Sequence, residues 1–213
     1  MSLEDEIGNL DAVILAMSGQ VEENLSYAIG VYTDYQPGKK YPSVEDYKVN
    51  AYERQAEEMC LQIMLRERLF ASDMRKVTGI MTMVEDLERL GDHAEDVLQF
   101  ALKLKNADYD GVKMKNLAEF CLKMVHDAID SYIRRDCKAA KEVIGRDDYV
   151  DKEYAEIIDY LIKEDKKKAI TPEFAIYTTL VVKYLERIAD HATNIAEWAI
   201  YIVTGYYKDK QIL

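Results

Sequence analysis

One phrase occurs twice in this chain. Residues 87–96 read LERLGDHAED and residues 185–194 read LERIADHATN, at a constant offset of 98 residues. Between residues 84–101 and 182–199, eight of 18 positions are identical, and Leu90/Ile188, Gly91/Ala189 and Asp96/Asn194 are close equivalents. A second echo, offset by 101, links DYKVN (residues 46–50) with DDYVD (residues 147–151). Each half therefore carries a matching pair of segments in the same order, which predicts a duplicated unit. The period is too long for a solenoid.

The units read as helical. Only three prolines occur in 213 residues, and turn residues gather at DYQPGKKYPS (34–43), around Phe70 to Ser72, at KNADYDG (105–111), near GRDD (145–148) and at KKKAITP (166–172). Six helices lie between these breaks. In the third, Ile80, Leu87, Gly91, Ala94 and Leu98 form one apolar stripe; in the sixth, Leu185, Ala189, Ala192, Ala196 and Val203 repeat it. Short connections make consecutive helices antiparallel neighbours. The expected fold is all-α, two antiparallel three-helix bundles over residues 1–107 and 108–213, related by a pseudo-twofold axis. Tyr154, Tyr160, Tyr177, Tyr184 and Tyr201, and the methionines Met81, Met83 and Met124, are read as core or boundary. Trp198, equivalent to Phe100, is expected to fill the same inter-helix gap.

Forty acidic against 28 basic residues give a formal charge of -12, which disfavours nucleic acid and anionic lipid and favours cations or basic protein surfaces. Three widely spaced cysteines, Cys60, Cys121 and Cys137, form no CxxC pair and suggest a reduced cytosolic setting. The acidic start MSLEDEIGNL is unlike a signal peptide, and no apolar run is long enough to span a membrane. Phosphate-binding loops, nucleophile elbows, zinc-protease and EF-hand signatures are missing. So is Glu-x-x-His, which argues against di-iron oxidase chemistry.

The duplicated phrase instead concentrates oxygen. On a helix, Glu88, Asp92 and Asp96 fall within about 80° beside the apolar stripe, and Glu186, Asp190 and Asn194 do the same. The partner helices add Asp46, Asn50 and Glu53, with Glu57, in the first half, and Asp147 and Asp151 in the second. Like charges at this spacing repel by roughly 0.2–0.5 kcal/mol per pair, so a cation is expected between facing strips. Oxygen-only ligands suit magnesium, manganese, calcium or ferric iron. The competing reading is a solvated face paired with Arg89 or Lys103. His93 and His191 lie on the flank away from the stripe and read as packed residues bonding a neighbouring helix.

Together DLERLGDHAED (86–96), YLERIADHATNIAE (184–197), the closing IYIVTG (200–205) and SDMRKVTG (72–79) resemble the PhoU family of phosphate-transport accessory and regulatory proteins. The family pattern Glu-x-x-x-Asp-x-x-x-Asn falls on Glu88, Asp92 and Asp96, and again on Glu186, Asp190 and Asn194. The partner-helix pattern falls on Asp46, Val49 and Asn50, and on Asp147, Val150 and Asp151. The resemblance implies surface metal clusters of iron or zinc. Several positions depart from the pattern. Asp96 replaces an asparagine, Gln99 replaces the acid matching Glu197, Ala189 replaces a glycine, and the turn at 34–43 lacks the usual RD...A..V. Tyr154 and Ile158 also stand where the first half has Glu53 and Glu57, so the two sites need not be equivalent.

By that resemblance the chain is expected to be a cytoplasmic, non-enzymatic homodimer that restrains phosphate uptake and phosphate-starvation signalling. Its implied partners are the phosphate ABC-transporter ATPase and the phosphate sensor histidine kinase. The alternatives are a metal-dependent phosphohydrolase, for which no nucleophile or general base is signalled, and a metal-storage protein, for which surface strips offer no cavity.

Overall fold

The computed structural model describes residues 2–65, 69–104, 112–167 and 170–212. Its helices are α1 (Leu3–Thr33), α2 (Asp46–Met64), α3 (Ala71–Leu104), α4 (Val112–Arg134), α5 (Cys137–Ile144), α6 (Asp147–Lys166) and α7 (Pro172–Thr204). These are the six expected helices with the fourth broken in two. Arg135 takes a left-handed φ of 55°, and Asp136 restarts the chain by accepting Lys138 N at 2.9 Å and Ala139 N at 3.0 Å. The sequence there, RDCKAAKEV, carries the very RD...A..V pattern that the first half lacks. The first half has an open loop instead, turned at Gly38 (φ 84°) and held by Tyr27 OH donating to Pro42 O and by Tyr41 OH accepting from Gln36 N. The break expected at 105–111 lies outside the described residues, and so does the expected boundary after residue 107.

α1, α2 and α3 pack on one another, α4 to α7 form the second group, and the largest contact between the groups is α3 against α7. Ile80, Leu87, Gly91, Ala94 and Leu98 are buried, as are Leu185, Ala189, Ala192 and Ala196. Burying a leucine-sized side chain stabilises by roughly 1.5–3 kcal/mol, so the two stripes are sufficient reason for α3 and α7 to lie at the centre. Val203 departs from its stripe. It is 41% exposed, at the rim of a groove shared with Tyr132, Ile133 and Arg135 at the end of α4.

α7 stops at Gly205, whose φ of 82° suits glycine and whose N–H donates to Tyr201 O at 2.8 Å. A two-stranded hairpin comes next, Tyr206–Tyr207 against Lys210–Gln211. It corrects one expectation: Trp198 stacks on Tyr207 at 4.0 Å, whereas Phe100 packs on Tyr177 and Tyr184 of α7. Tyr201 is buried and Tyr160 is exposed, while Met83 and Met124 sit in the core. Burial pushes the Cys60 thiol up to about 12. No helix among the described residues is long and apolar enough to cross a membrane.

Replacing Asp136 by Ala removes the cap of α5 and is expected to cost about 1 kcal/mol. Thermal denaturation should show a fall of about 2–4 °C for a chain of this size; an unchanged Tm would mean α5 is held by packing alone.

Candidate metal sites on two helix pairs

In the first half, α2 meets α3 so that Asp46, the first residue of α2, abuts Gly91. A Cβ at Gly91 would stand 3.1 Å from Asp46 Oδ1 and 3.1 Å from Val49 Cγ1, so glycine here permits the close approach. Asp46 Oδ2 accepts Asn50 Nδ2 at 2.7 Å, while Oδ1 is buried without a donor. Burial, then the Asp92 and Glu95 carboxylates, raise the Asp46 pKa. Glu53 is raised by burial and by Glu57, and Glu88 by burial and by Asp92. The expected residues Asp46, Asn50, Glu53, Glu88 and Asp92 are therefore brought together. Arg89 tempers the charge, with Nε 3.5 Å from Glu88 and Nη1 3.3 Å from Asp92. Lys103 takes no part; its ammonium lies over the Phe100 and Tyr177 rings.

The second half repeats this on α6 and α7 with fewer acids. Asp147 is raised by burial and Asp151, with a smaller push from Glu186, and its Oδ1 accepts Thr193 Oγ1 at 3.4 Å. Asp190 is raised to about 6, by burial first, then by Glu186, Asp147 and Asp151 against the pull of Lys183. Lys183 pairs with Glu186 and also covers the Tyr154 ring. Tyr154 occupies the place of Glu53. Glu197 is drawn away, accepting Lys208 N from the hairpin at 3.3 Å.

The ends of both strips turn toward the other half. Asn194 Nδ2 donates to Asp86 Oδ1 at 3.1 Å, and Asp96 accepts from Tyr184. Asp86 and Tyr184 are themselves 98 residues apart, so the two bonds are one contact applied twice. His93 and His191, also equivalents, touch with ring centroids 5.3 Å apart. The pseudo-twofold axis therefore passes between them. His191 Nδ1 bonds Asp86 at 2.8 Å, as expected for a histidine tied to a neighbouring helix. His93 is 4% exposed with neither ring nitrogen bonded. Burial, with His191 and Arg187 nearby, lowers its pKa to about 4.

Two participants are not among the residues expected from sequence. Glu95 stands seven residues after Glu88 and so on the same helical face, a signal present in the sequence. Asp86 lies on the far side of α3, and only its contact with α7 gives it a role.

A cation suits the chemistry: the donors are carboxylates, several are held above their ordinary pKa by burial and then by one another, and Asp46 Oδ1 is buried without a donor. Among the described residues, however, no three His, Cys, Asp or Glu side chains stand around one point as a bound ion requires. Loading either strip thus requires side-chain movement. Asp190 offers a test without metal. Its raised pKa means the folded state holds the proton more tightly than the unfolded one between about pH 4 and 6, so its destabilising effect grows as pH rises through that window and is complete above it. In EDTA, Asp190→Asn should raise the Tm more at pH 7.5 than at pH 4.5. An equal shift at both values would contradict the raised pKa of Asp190.

The PhoU domain model matches residues 14–101 and 114–199. A phosphate-specific transport system accessory protein PhoU homolog of Pseudomonas aeruginosa is 34% identical over 208 residues, covering 94% of this chain and 84% of that protein. The accessory protein PhoU of Escherichia coli K12 is 29% identical, with the same coverage. The crystal structure of PhoU from Pseudomonas aeruginosa superposes with a TM-score of 0.89 at 30% identity, covering 96% of this chain and all of that one. That of the phosphate transport system regulatory protein PhoU from Streptococcus pneumoniae gives 0.84 at 22% identity, covering 98% of this chain and all of that one, a likeness of fold. A bundle built twice, joined through α3 and α7, with the family domain matched in each half, places this chain in the PhoU family.

Proposed function

We propose that the chain is an accessory protein of phosphate transport that works by binding rather than catalysis, and that it restrains phosphate uptake and phosphate-starvation signalling in the cytoplasm. The coarse role rests on membership of a family whose relatives are named as transport accessory proteins. The brake, the contacts with the transporter ATPase and the sensor kinase, and a homodimeric state extend that role. The observation that carries the site is the placing of half-buried carboxylates from two helices side by side on α2/α3 and on α6/α7, with Asp46 Oδ1 buried without a donor; burial first, and the neighbouring carboxylates second, raise their pKa values. In each half, side chains from two helices repel one another where a cation would bridge them. Asp46, Asn50, Glu53, Glu88 and Asp92 would hold one cluster, and Asp147, Asp151, Glu186 and Asp190 the other. Asp96 and Asn194 would lie at the margins, each engaged by the opposite half. Iron or zinc is the cation proposed, with magnesium or manganese as the competing hard ions. Such an ion would tie each helix pair together and change the charge of the surface offered to a partner.

Deleting the gene should leave phosphate uptake and phosphate-starvation genes active in phosphate-rich medium, as read by transcript levels and labelled-phosphate uptake. Unchanged levels would remove the regulatory role.

Chelation should leave helix content by circular dichroism intact, because the α3 and α7 stripes pack without the strips, yet lower the Tm. Ligand at 100 times its dissociation constant contributes about 2.7 kcal/mol. Glu186→Gln with Asp190→Asn should lose metal from the second half alone, and Glu88→Gln with Asp92→Asn from the first. Identical metal content in wild type and both variants, by elemental analysis, would refute the assignment.

A further inference from the structure

A groove unconnected with the strips lies where the starts of α1 and α3 meet the ends of α4 and α7. It encloses about 770 Å³ and is lined by Arg75, Lys76 and Arg135 together with apolar Ile7, Phe70 and Ile202, among others. That volume falls in the range of small-molecule sites. Three acids also line it, and two are already engaged. Asp11 accepts from Lys76 Nζ at 2.5 Å and from Tyr132 OH at 3.0 Å. Asp73 accepts Phe70 N at 3.3 Å at the start of its own helix. Glu4 is the third. Against it stand two guanidinium groups without a carboxylate partner among the described residues, and Arg75 Nε is buried without an acceptor.

Two further features mark the place. Arg135 is held in the left-handed region at φ 55°, a conformation that strains a side chain other than glycine, and it interrupts α4 at this groove. Phe70, 76% exposed, and Val203, 41% exposed, present apolar surface at its edge. Arginine forks match phosphate oxygens in pairs, and an exposed aromatic ring offers a face to a planar base.

We propose that this groove binds a phosphorylated small molecule of nucleotide size, its phosphates at Arg75 and Arg135 and its base against Phe70 and Val203. The inference does not depend on the regulatory role or on bound metal.

The test is calorimetric titration of the full chain with ATP in EDTA, which removes metal bridging at the carboxylate strips. One ATP per chain is expected. Arg75→Gln with Arg135→Gln should weaken it at least about tenfold, Phe70→Ala should weaken it too, and Arg134→Gln, whose guanidinium pairs with Asp130 at 2.9 Å and does not line the groove, should leave it unchanged. Inorganic phosphate alone should bind more weakly than ATP. Hydrogen exchange on the wild type should show ATP protecting residues 70–76 and 132–135, a readout that survives any misfolding of a variant. No ATP binding at millimolar concentration, affinity unaltered in the double arginine variant, or protection elsewhere would overturn the proposal.

Discussion

Everything in this molecule is arranged around the antiparallel packing of α3 on α7. A Cβ at Gly79 of α3 would stand 2.5 Å from Ile202 Cγ1 and 3.2 Å from Tyr201 Cδ1 of α7, and a small residue at such a point lets helix axes come close. Because α3 and α7 carry the same phrase, the contact is self-complementary. His93 meets His191, and the Asp96–Tyr184 bond is answered by Asn194–Asp86. An interface made of one surface used twice generates a twofold axis by construction, and the other helices take their places by packing on either member.

With one face of α3 and α7 occupied by this contact, their adjoining faces are left to carry α2 and α6. The first residues of those helices, Asp46 and Asp147, sit beside the Glu-x-x-x-Asp strips, and the helix N-termini favour the charge there. Apolar burial thus fixes the backbone, while the carboxylates stand half-buried at its margin, raised in pKa by desolvation and by one another. The fold tolerates that repulsion because it amounts to a small part of the stability held in the two buried stripes.

Duplication has not kept the halves identical. RDCKAAKEV builds α5 in the second half, whereas Gly38 and a cluster of tyrosines shape an open loop in the first. Glu53 and Glu57 of α2 are answered by Tyr154 and Ile158 of α6, and Arg89 and Lys183 temper the two strips from non-equivalent positions. The first site therefore gathers more oxygen donors than the second. It also keeps a buried carboxylate oxygen without a donor, an atom that in Asp147 is engaged by Thr193.

The helices, the duplication and the helical face on which each strip starts are legible in the chain alone, because periodicity and spacing are local properties. Ile80, Leu87 and Leu98 belong to the core by their 3.6-residue rhythm, and Asp46, Glu88 and Asp92 lie to one side of the stripe by their angles. The break at Arg135 is also written locally, in the Asp136 cap of α5, but the surrounding helical pattern obscures it. Packing across the bundle settles everything else. Asp86 matters because α7 brings Asn194 and His191 to it across more than a hundred residues, and no helical wheel contains that distance. Val203 continues the stripe in sequence yet lies at the rim of the groove between the ends of α4 and α7, which only the packing of those helices decides. Asp96 and Asn194 continue the strips in sequence yet face the other half in space, since each residue along a helix turns by about 100° and a third member of the series has rotated into the α3–α7 contact.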